Sequence, residues 1–363
     1  MKLAFYGSSL LSAYWNGAAT YYRGMLSELA RHGWEVTFYE PDAFERQSHR
    51  DMDPPEWARV VVYDAAPESC ARVMAEAAQA DVVVKASGVG VFDDELLEVF
   101  QIAPPHAVRI FWDVDAPATL ADLKANPERP LRQVLPDLDA VLTYGGGPPV
   151  VNAYESLGAR LCRPIYNALD PATHHPAPAD RRFESDLALL ANRLPDRETR
   201  IEQFFLEPAR RLPLQKFLLG GNGWGDKSLP ANVRAIGHVG TGDHNAFNCT
   251  PRAVLNVARD SMAEVGFSPA TRVFEAAGAG ACLITDAWEG IELFLEPGRE
   301  VLVARDGQDV ADHLSGLTAE RAAQIGEAAR ARILDGHTYA QRAVEVDALL
   351  RRLRAVRAER SAA

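Results

Sequence analysis

The sequence predicts an α/β chain of two domains, each a parallel sheet wound on both faces by helices. Three observations carry this. Short apolar runs alternate with helical stretches along almost the whole chain, the pattern that parallel sheets with crossover helices require. The alternation lapses once, between Pro164 and Arg182, where Pro164, Pro171, Pro176 and Pro178 crowd a stretch of little apolar content, and then restarts. The chain has 363 residues, long for one hydrophobic core and comfortable for two.

Taken in order, Leu3–Tyr6 reads as the first strand. Thr20–His32 reads as a helix with Tyr21, Met25, Leu26 and Leu29 on one face, stopped by Gly33. Strands follow at Glu35–Tyr39 and Arg59–Tyr63, an alanine-rich helix at Glu68–Gln79, and strands at Asp81–Lys85, Val108–Trp112 and Ala140–Tyr144. Beyond the proline-rich stretch, strands are expected at Leu187–Leu190, Lys216–Leu219, Val233–Ile236, Val254–Val257, Cys282–Ile284 and Val301–Val303. A last helix runs from about Tyr339 to Arg357, with Val346, Leu349, Leu350, Leu353 and Val356 in one stripe. The expected organisation is a first domain over 1–165, a linker over 166–182, a second domain over 183–336 and a closing helix over 337–363.

A hydrophobic fraction of 47% and a charged fraction of 24% are ordinary for a soluble protein. The formal net charge of -12 argues against a nucleic-acid partner, which needs a basic surface. Cys70, Cys162, Cys249 and Cys282 are far apart and form no C-x-x-C pair, so they read as small buried hydrophobes in a reducing compartment. The opening run meets Gly7 at once and reads as a strand rather than a signal peptide. No segment approaches the ~20 apolar residues of a transmembrane helix, so a cytoplasmic protein is expected.

The most informative stretch is Phe267–Asp286. Ser268 stands at the expected N-cap, and Pro269 at the first helical position, where a missing N–H costs nothing. Arg272 and Glu275 fall one turn apart on one face, Gly278 and Gly280 end the helix, and a short apolar run leads to Asp286. An arginine at a helix N-terminus suits phosphate. A glutamate one turn further on suits a pair of sugar hydroxyls, so the two together point to a nucleotide carrying a sugar. The alternative is a plain ion pair at i, i+3. The position at a capped helix start weighs against it, as do Asp286, Glu289 and Gly290 on the same expected sheet edge.

Other candidates are less specific. The loop Gly7–Ala19 lacks the G-x-G-x-x-G of a nicotinamide fingerprint, and Glu40 ends the second strand without those glycines. The loop instead ends in Asn16-Gly17 before the helix, small residues that let a ligand approach a helix N-terminus. Asp113 and Asp115 follow the strand ending Phe111-Trp112, where acids meet ligands in such sheets. Asp113 suits a general base, a group that orients an acceptor hydroxyl, or a helix cap. Its D-x-D string has no specificity, because residues 51–53 and 137–139 repeat it. Arg193 and Arg197 suit a bidentate clamp on a diphosphate or a solvated surface pair, and the Gly220-Gly221-Asn222-Gly223 turn can hold a ligand against the backbone. His174-His175 has no cysteine or acid at ligand spacing, so no metal site is expected there.

These residues resemble the donor-binding half of GT-B glycosyltransferases, and among them the CgeB-like (spore-maturation protein) type. The likeness runs through Asn192-Arg193, Arg197, Gly220-Gly221, residues 236–239, Asn256 and Arg259. It is strongest over Ser268, Arg272, Glu275, Gly280, Asp286, Glu289-Gly290 and residues 296–300, and it returns at His337-Thr338-Tyr339 and Arg342. Residues 16–18 and 32–36 are similar to the loop and helix that open such enzymes.

The resemblance implies two Rossmann-like domains facing a cleft and a closing helix that crosses back to the first domain. It implies a nucleoside-diphosphate-sugar donor bound mainly by the second domain, an acceptor of unstated kind, no cofactor and no obligatory metal. It further implies that Glu275 holds the ribose, that Arg193 and Arg272 neutralise the leaving diphosphate, and that Glu289-Gly290 meets the sugar. The expected activity is sugar transfer; a sugar-nucleotide epimerase or hydrolase and a non-catalytic nucleotide-sugar-binding protein share the fold. Many retaining members carry a second glutamate two turns before the ribose glutamate. Phe267 holds that place here, with Glu264 three residues earlier, so the resemblance leaves retention or inversion open.

Overall fold

A computed structural model describes residues 1–362. It divides into two compact units: Met1–Asn167 together with the chain from Tyr339 onward, and Ala168–Thr338. Each unit is built on one parallel sheet.

The first unit holds β1 (Lys2–Tyr6), β2 (Glu35–Asp42), β3 (Ala58–Asp64), β4 (Val82–Ala86), β5 (Val108–Asp113), β6 (Ala140–Thr143) and β7 (Cys162–Pro164), in the order β3-β2-β1-β4-β5-β6-β7. The central strand β4 is buried along its whole length, while edge strand β3 is half-exposed. This is the pattern of a sheet covered on both faces, whose inner strands read as continuous apolar runs. Rings interlock across the strands: Phe5 stacks on Phe38 at 5.2 Å and Tyr6 on Tyr39 at 4.5 Å. The strand β7 has no counterpart among the expected strands. It is three residues long and ends in Pro164, tolerable only because it lies at the sheet edge.

The closing helix, Tyr339–Ala362, packs on the Ala19–Arg31 helix of the first unit. Gly24 makes this possible, because a Cβ there would lie 2.1 Å from the Tyr339 ring. The Trp34 indole N–H donates to Asp347 at 2.8 Å, and Arg354 and Arg357 reach Asp81 and Asp139 at 2.9 and 2.7 Å. Val346, Leu349 and Leu350 are buried, but the apolar stripe runs out at Val356, which is 38% exposed.

The second unit holds β8 (Leu187–Leu190), β9 (Phe217–Gly220), β10 (Val233–Gly237), β11 (Ala253–Asn256), β12 (Leu283–Asp286) and β13 (Leu302–Ala304), in the order β10-β9-β8-β11-β12-β13. The proline-rich stretch read from sequence as a linker belongs to this unit from Ala168 onward. Its backbone is satisfied by side chains of the unit. Asn245 Oδ1 accepts from the His175 N–H, Cys249 Sγ from Ala177 and Thr250 Oγ1 from Asp180. Leu169 seats on Gly278, where a Cβ would come within 2.3 Å of it.

Candidate active site

The second sheet reverses its strand order between β8 and β11, the point where open α/β sheets receive ligands beyond their carboxyl ends. The loops there start at Ala191, after β8, and at Val257, after β11. The β8 loop is packed against Gly221, which follows β9. Its φ is +114°, and a Cβ would lie 2.1 Å from the Ala191 carbonyl oxygen, so only glycine lets the loops after β8 and β9 close together.

The arginines of this edge are already paired. Arg193 donates to both oxygens of Glu198 at 2.9 Å and to Asp226 at 2.8 Å. Hydrogen bonds from Arg193 and Lys227 hold the Glu198 carboxyl down at about 2. Arg259 pairs with Asp196, and Arg197 is half-buried on the helix Pro195–Ile201. The arginine of that helix that reaches the sheet is Arg200, which sequence reasoning passed over. It lies 2.5 Å from Asp286 Oδ2, a carboxylate with 0% exposure that also accepts from the Ala258 N–H at 3.0 Å. Burial pushes the Asp286 carboxyl up. Asp286 therefore ties the β11 and β12 ends together from beneath, and Asn256 adds a bond to Thr285 Oγ1 at 3.1 Å.

The helix expected after Ser268 begins later, at Thr271, and ends at Gly278. Ser268 does not cap it: its hydroxyl turns back to the Gly266 carbonyl at 2.9 Å, and Ala270 holds the cap position. Pro269 accordingly precedes the helix instead of opening it. No side chain caps the first turn, so the positive end of the helix dipole carries no anionic partner of its own.

Arg272 and Glu275 lie on this helix as expected, one turn apart, with Nη1 3.8 Å from Oε2. The Arg272 guanidinium also donates to Asn248 Oδ1 at 3.3 Å. The other Glu275 oxygen, Oε1, lies 3.8 Å from His174 Nε2, and His244 completes the group. Burial opposes the Glu275 charge, but His174, Arg272 and His244 outweigh it and hold the carboxyl below its usual range. Burial, then Arg272, pushes the His244 imidazole down to about 4. The absence of a metal-ligand set at His174 was read from short spacing. Folding brings an imidazole 70 residues away and a carboxylate 101 residues away to it, which spacing along the chain does not reveal.

Two neighbouring loops frame the helix start. The Phe267 N–H donates to the Glu289 carbonyl at 2.6 Å. Gly290, with φ +95°, leaves room for the Phe267 ring, which a Cβ would meet at 2.4 Å. Glu289 itself is exposed.

Residues 197–348 match a family model described as glycosyl transferase-like. No curated protein matches the sequence. In structure the chain is similar to sucrose-phosphate synthase from Thermosynechococcus elongatus, with a TM-score of 0.70, 15% identity, and 98% of this chain and 100% of that one covered. It is similar to Anabaena HepE solved with UDP and glucose, at 0.69, 15%, 96% and 99%. It is also similar to T4 phage BGT solved with UDP-glucose, at 0.61, 10%, 96% and 98%. The chain has the GT-B glycosyltransferase fold.

In this GT-B chain two candidate residues of the first unit are held by hydrogen bonds within the fold. Asp113 ends β5 with 0% exposure. Its Oδ1 accepts from the Asp115 N–H and the Thr119 hydroxyl, each at 3.0 Å, and its Oδ2 from the Tyr154 hydroxyl. Burial raises its carboxyl above the usual range. These bonds tie Asp113 to the start of the Ala116–Ala125 helix and to Tyr154 of the Gly147–Ser156 helix; Asp115, not Asp113, holds the cap position of the first of these helices. Asn16 is likewise turned inward: its amide donates to the Ser9 and Ser12 carbonyls at 2.9 and 3.1 Å and accepts from the Ser8 hydroxyl at 3.0 Å. It folds the loop on itself, while Gly17 is exposed. The same sheet edge holds a cavity of about 190 Å³ lined by Lys85, Ser87, Asp93, Phe111 and Arg129, with Lys85 buried against Asp93 at 2.6 Å. No sequence motif pointed to it.

No helix among the described residues is long and apolar enough to cross a membrane.

Proposed function

We propose that the chain transfers a sugar from a nucleoside-diphosphate donor, with Glu275 on the ribose and Arg272 on the leaving diphosphate. The observation that carries this is a buried carboxylate kept ionised beside a buried guanidinium, at the uncapped start of a helix on the carboxyl edge of a GT-B sheet. An ionised carboxylate accepts two hydroxyl hydrogen bonds, as a ribose diol offers. The helix terminus and arginine are preorganised for a diphosphate charge that grows as the sugar departs. HepE and BGT, solved with UDP and UDP-glucose, support a uridine nucleotide as the donor class.

Arg193 enters this reading as a secondary contact, because Glu198 and Asp226 must first release it. Arg197, Gly221, Asn256, Arg259, Ser268, Glu289 and Gly290 shape the edge around the donor. Phe267, wedged on Gly290, places an aromatic ring where many retaining relatives keep a carboxylate, so sugar transfer here proceeds without that group. The motif around residues 268–300 supports the CgeB-like type, and four free cysteines suit a cytoplasmic setting. The net charge of -12 supports an acceptor other than nucleic acid.

The test is a panel of UDP, GDP, dTDP and their sugars, read by thermal shift and calorimetry. A ligand that binds only the folded chain must raise its midpoint. One nucleotide series should bind, and Glu275→Gln and Arg272→Ala should each weaken it. Donor breakdown at full rate without any acceptor would move the assignment to a hydrolase or epimerase.

A further inference from the structure

We propose that Asn248 is a positioning residue for the sugar transfer: its neutral amide holds the Arg272 guanidinium in place and leaves the positive charge uncommitted for the leaving diphosphate. The inference rests on the donor reading above and names the residue that makes Arg272 available to it. Asn248 lies in the His244–Cys249 helix, which packs against the Thr271–Gly278 helix that carries Arg272. It is 0% exposed, and its Oδ1 accepts from Arg272 Nη1 at 3.3 Å.

Arg272 differs in its partners from Arg193, Arg200 and Arg259. Arg193 is fixed by Glu198 at 2.9 Å and Asp226 at 2.8 Å, Arg200 by Asp286 at 2.5 Å and Arg259 by Asp196. Each of those three guanidinium groups must leave a hydrogen-bonded carboxylate before it can take a phosphate. Glu275 lies 3.8 Å from Arg272, beyond hydrogen-bond distance, so it balances charge without holding an N–H. Among the described residues, the one hydrogen bond that Arg272 donates goes to Asn248. A guanidinium carries several N–H donors in a rigid fork. One of them engaged by an amide oxygen orients the group and leaves the others for ligand oxygens.

The far end of the amide gives the second observation. The bond from Arg272 fixes which terminal atom of Asn248 is the oxygen. Nδ2 is therefore turned away from the guanidinium, and it is buried with no partner, a condition that lowers stability. Aspartate has the same shape and no such donor, but it would close a salt bridge on Arg272 and cancel the charge that a diphosphate needs. The amide tolerates an idle donor and keeps the guanidinium uncommitted, a conflict between stability and activity of the kind found at functional sites. The helix beneath it is firmly seated. Phe247 packs edge-on against Phe183 at 5.4 Å, and Cys249 Sγ donates to the Ala279 carbonyl at 3.3 Å. Asn248 thus presents its oxygen from a fixed support.

The experiment titrates UDP and uridine by calorimetry into wild type, Asn248→Asp, Asn248→Ala, Arg272→Ala and the double variant Asn248→Ala/Arg272→Ala. Circular dichroism checks that each is folded. Asn248→Asp should weaken UDP by about tenfold or more and leave uridine, which carries no phosphate, within about twofold. Asn248→Ala, which releases the guanidinium without neutralising it, should weaken UDP by about threefold or more, and by less than Asn248→Asp. With Arg272 already replaced, Asn248→Ala should change UDP by less than about twofold, because its effect runs through the guanidinium. A role confined to folding gives the opposite pattern: UDP and uridine weaken together, and Asn248→Ala does equal damage with and without Arg272. Either of those results overturns the proposal. UDP that binds wild type and Asn248→Asp alike strikes this inference alone, whereas UDP that fails to bind wild type strikes the donor reading and this one with it.

Discussion

Replacing Asp113 by alanine removes the carboxylate that accepts three hydrogen bonds in the interior of the first unit. The Tyr154 hydroxyl is the one left stranded, since Tyr154 is 0% exposed, and a buried donor without a partner costs about 1–3 kcal/mol. The Asp115 N–H and Thr119 hydroxyl are half-buried and can turn to water. Relief of the burial that raises the Asp113 carboxyl offsets part of the loss. A net loss of about 2 kcal/mol follows, or about 4–8 °C in the midpoint of a unit this size. Urea unfolding reads it directly, and Tyr154→Phe in the Asp113→Ala background should recover about 1 kcal/mol through the coupling of the pair. Nucleotide release per folded molecule, measured at a temperature where the variant is folded, should fall less than about tenfold. A variant with wild-type stability, intact donor binding and abolished transfer would refute the reasoning and return Asp113 to the role of base.

Other consequences are open to direct measurement. Gly221→Ala places a Cβ 2.1 Å from a backbone oxygen at φ +114°; it should cost about 2–4 kcal/mol in chemical denaturation, and a neutral result would mean the loops are not held together as described. Arg272→Ala should weaken uridine diphosphate at least about tenfold in calorimetry, and Arg193→Ala less than that, because Arg193 starts from a double ion pair; the reverse order would exchange their roles. Burial pushes the Cys162 and Cys282 thiols up to about 12 and Cys70 to about 11. Thiols raised in this way keep their protons in the folded chain while the unfolded chain loses them, so stability should fall as pH rises past about 9. Alkylation at pH 8 should be slow until the chain is unfolded, and rapid labelling of three native thiols would contradict their burial.

The inner strands of both sheets were legible because buried parallel strands are continuous apolar runs, and Leu187–Leu190 needed no context to be seen. The short edge strand Cys162–Pro164 was not, since its pairing comes from β6 and not from its own residues. The proline-rich stretch was read as a linker for a similar reason: its backbone is satisfied by Asn245, Cys249 and Thr250, far along the chain. Arg272 and Glu275 were legible from helical spacing, and Ser268 was misplaced because a Ser-Pro pair looks the same two residues before a helix as at its start. Asp113 showed where a strand ends but not which way its carboxylate points. The gathering of His174 and His244 around Glu275 is tertiary, and no short motif announces it.

The central claim is that Glu275 and Arg272 hold a nucleoside-diphosphate sugar. Calorimetric titration of UDP and UDP-glucose into wild type and Glu275→Gln tests it most directly. The account predicts one-to-one binding to the wild type and a loss of about tenfold or more in the variant, where an acceptor for the ribose diol becomes a donor. Equal affinity of the two proteins, or no binding of any nucleoside diphosphate to the wild type, would contradict it.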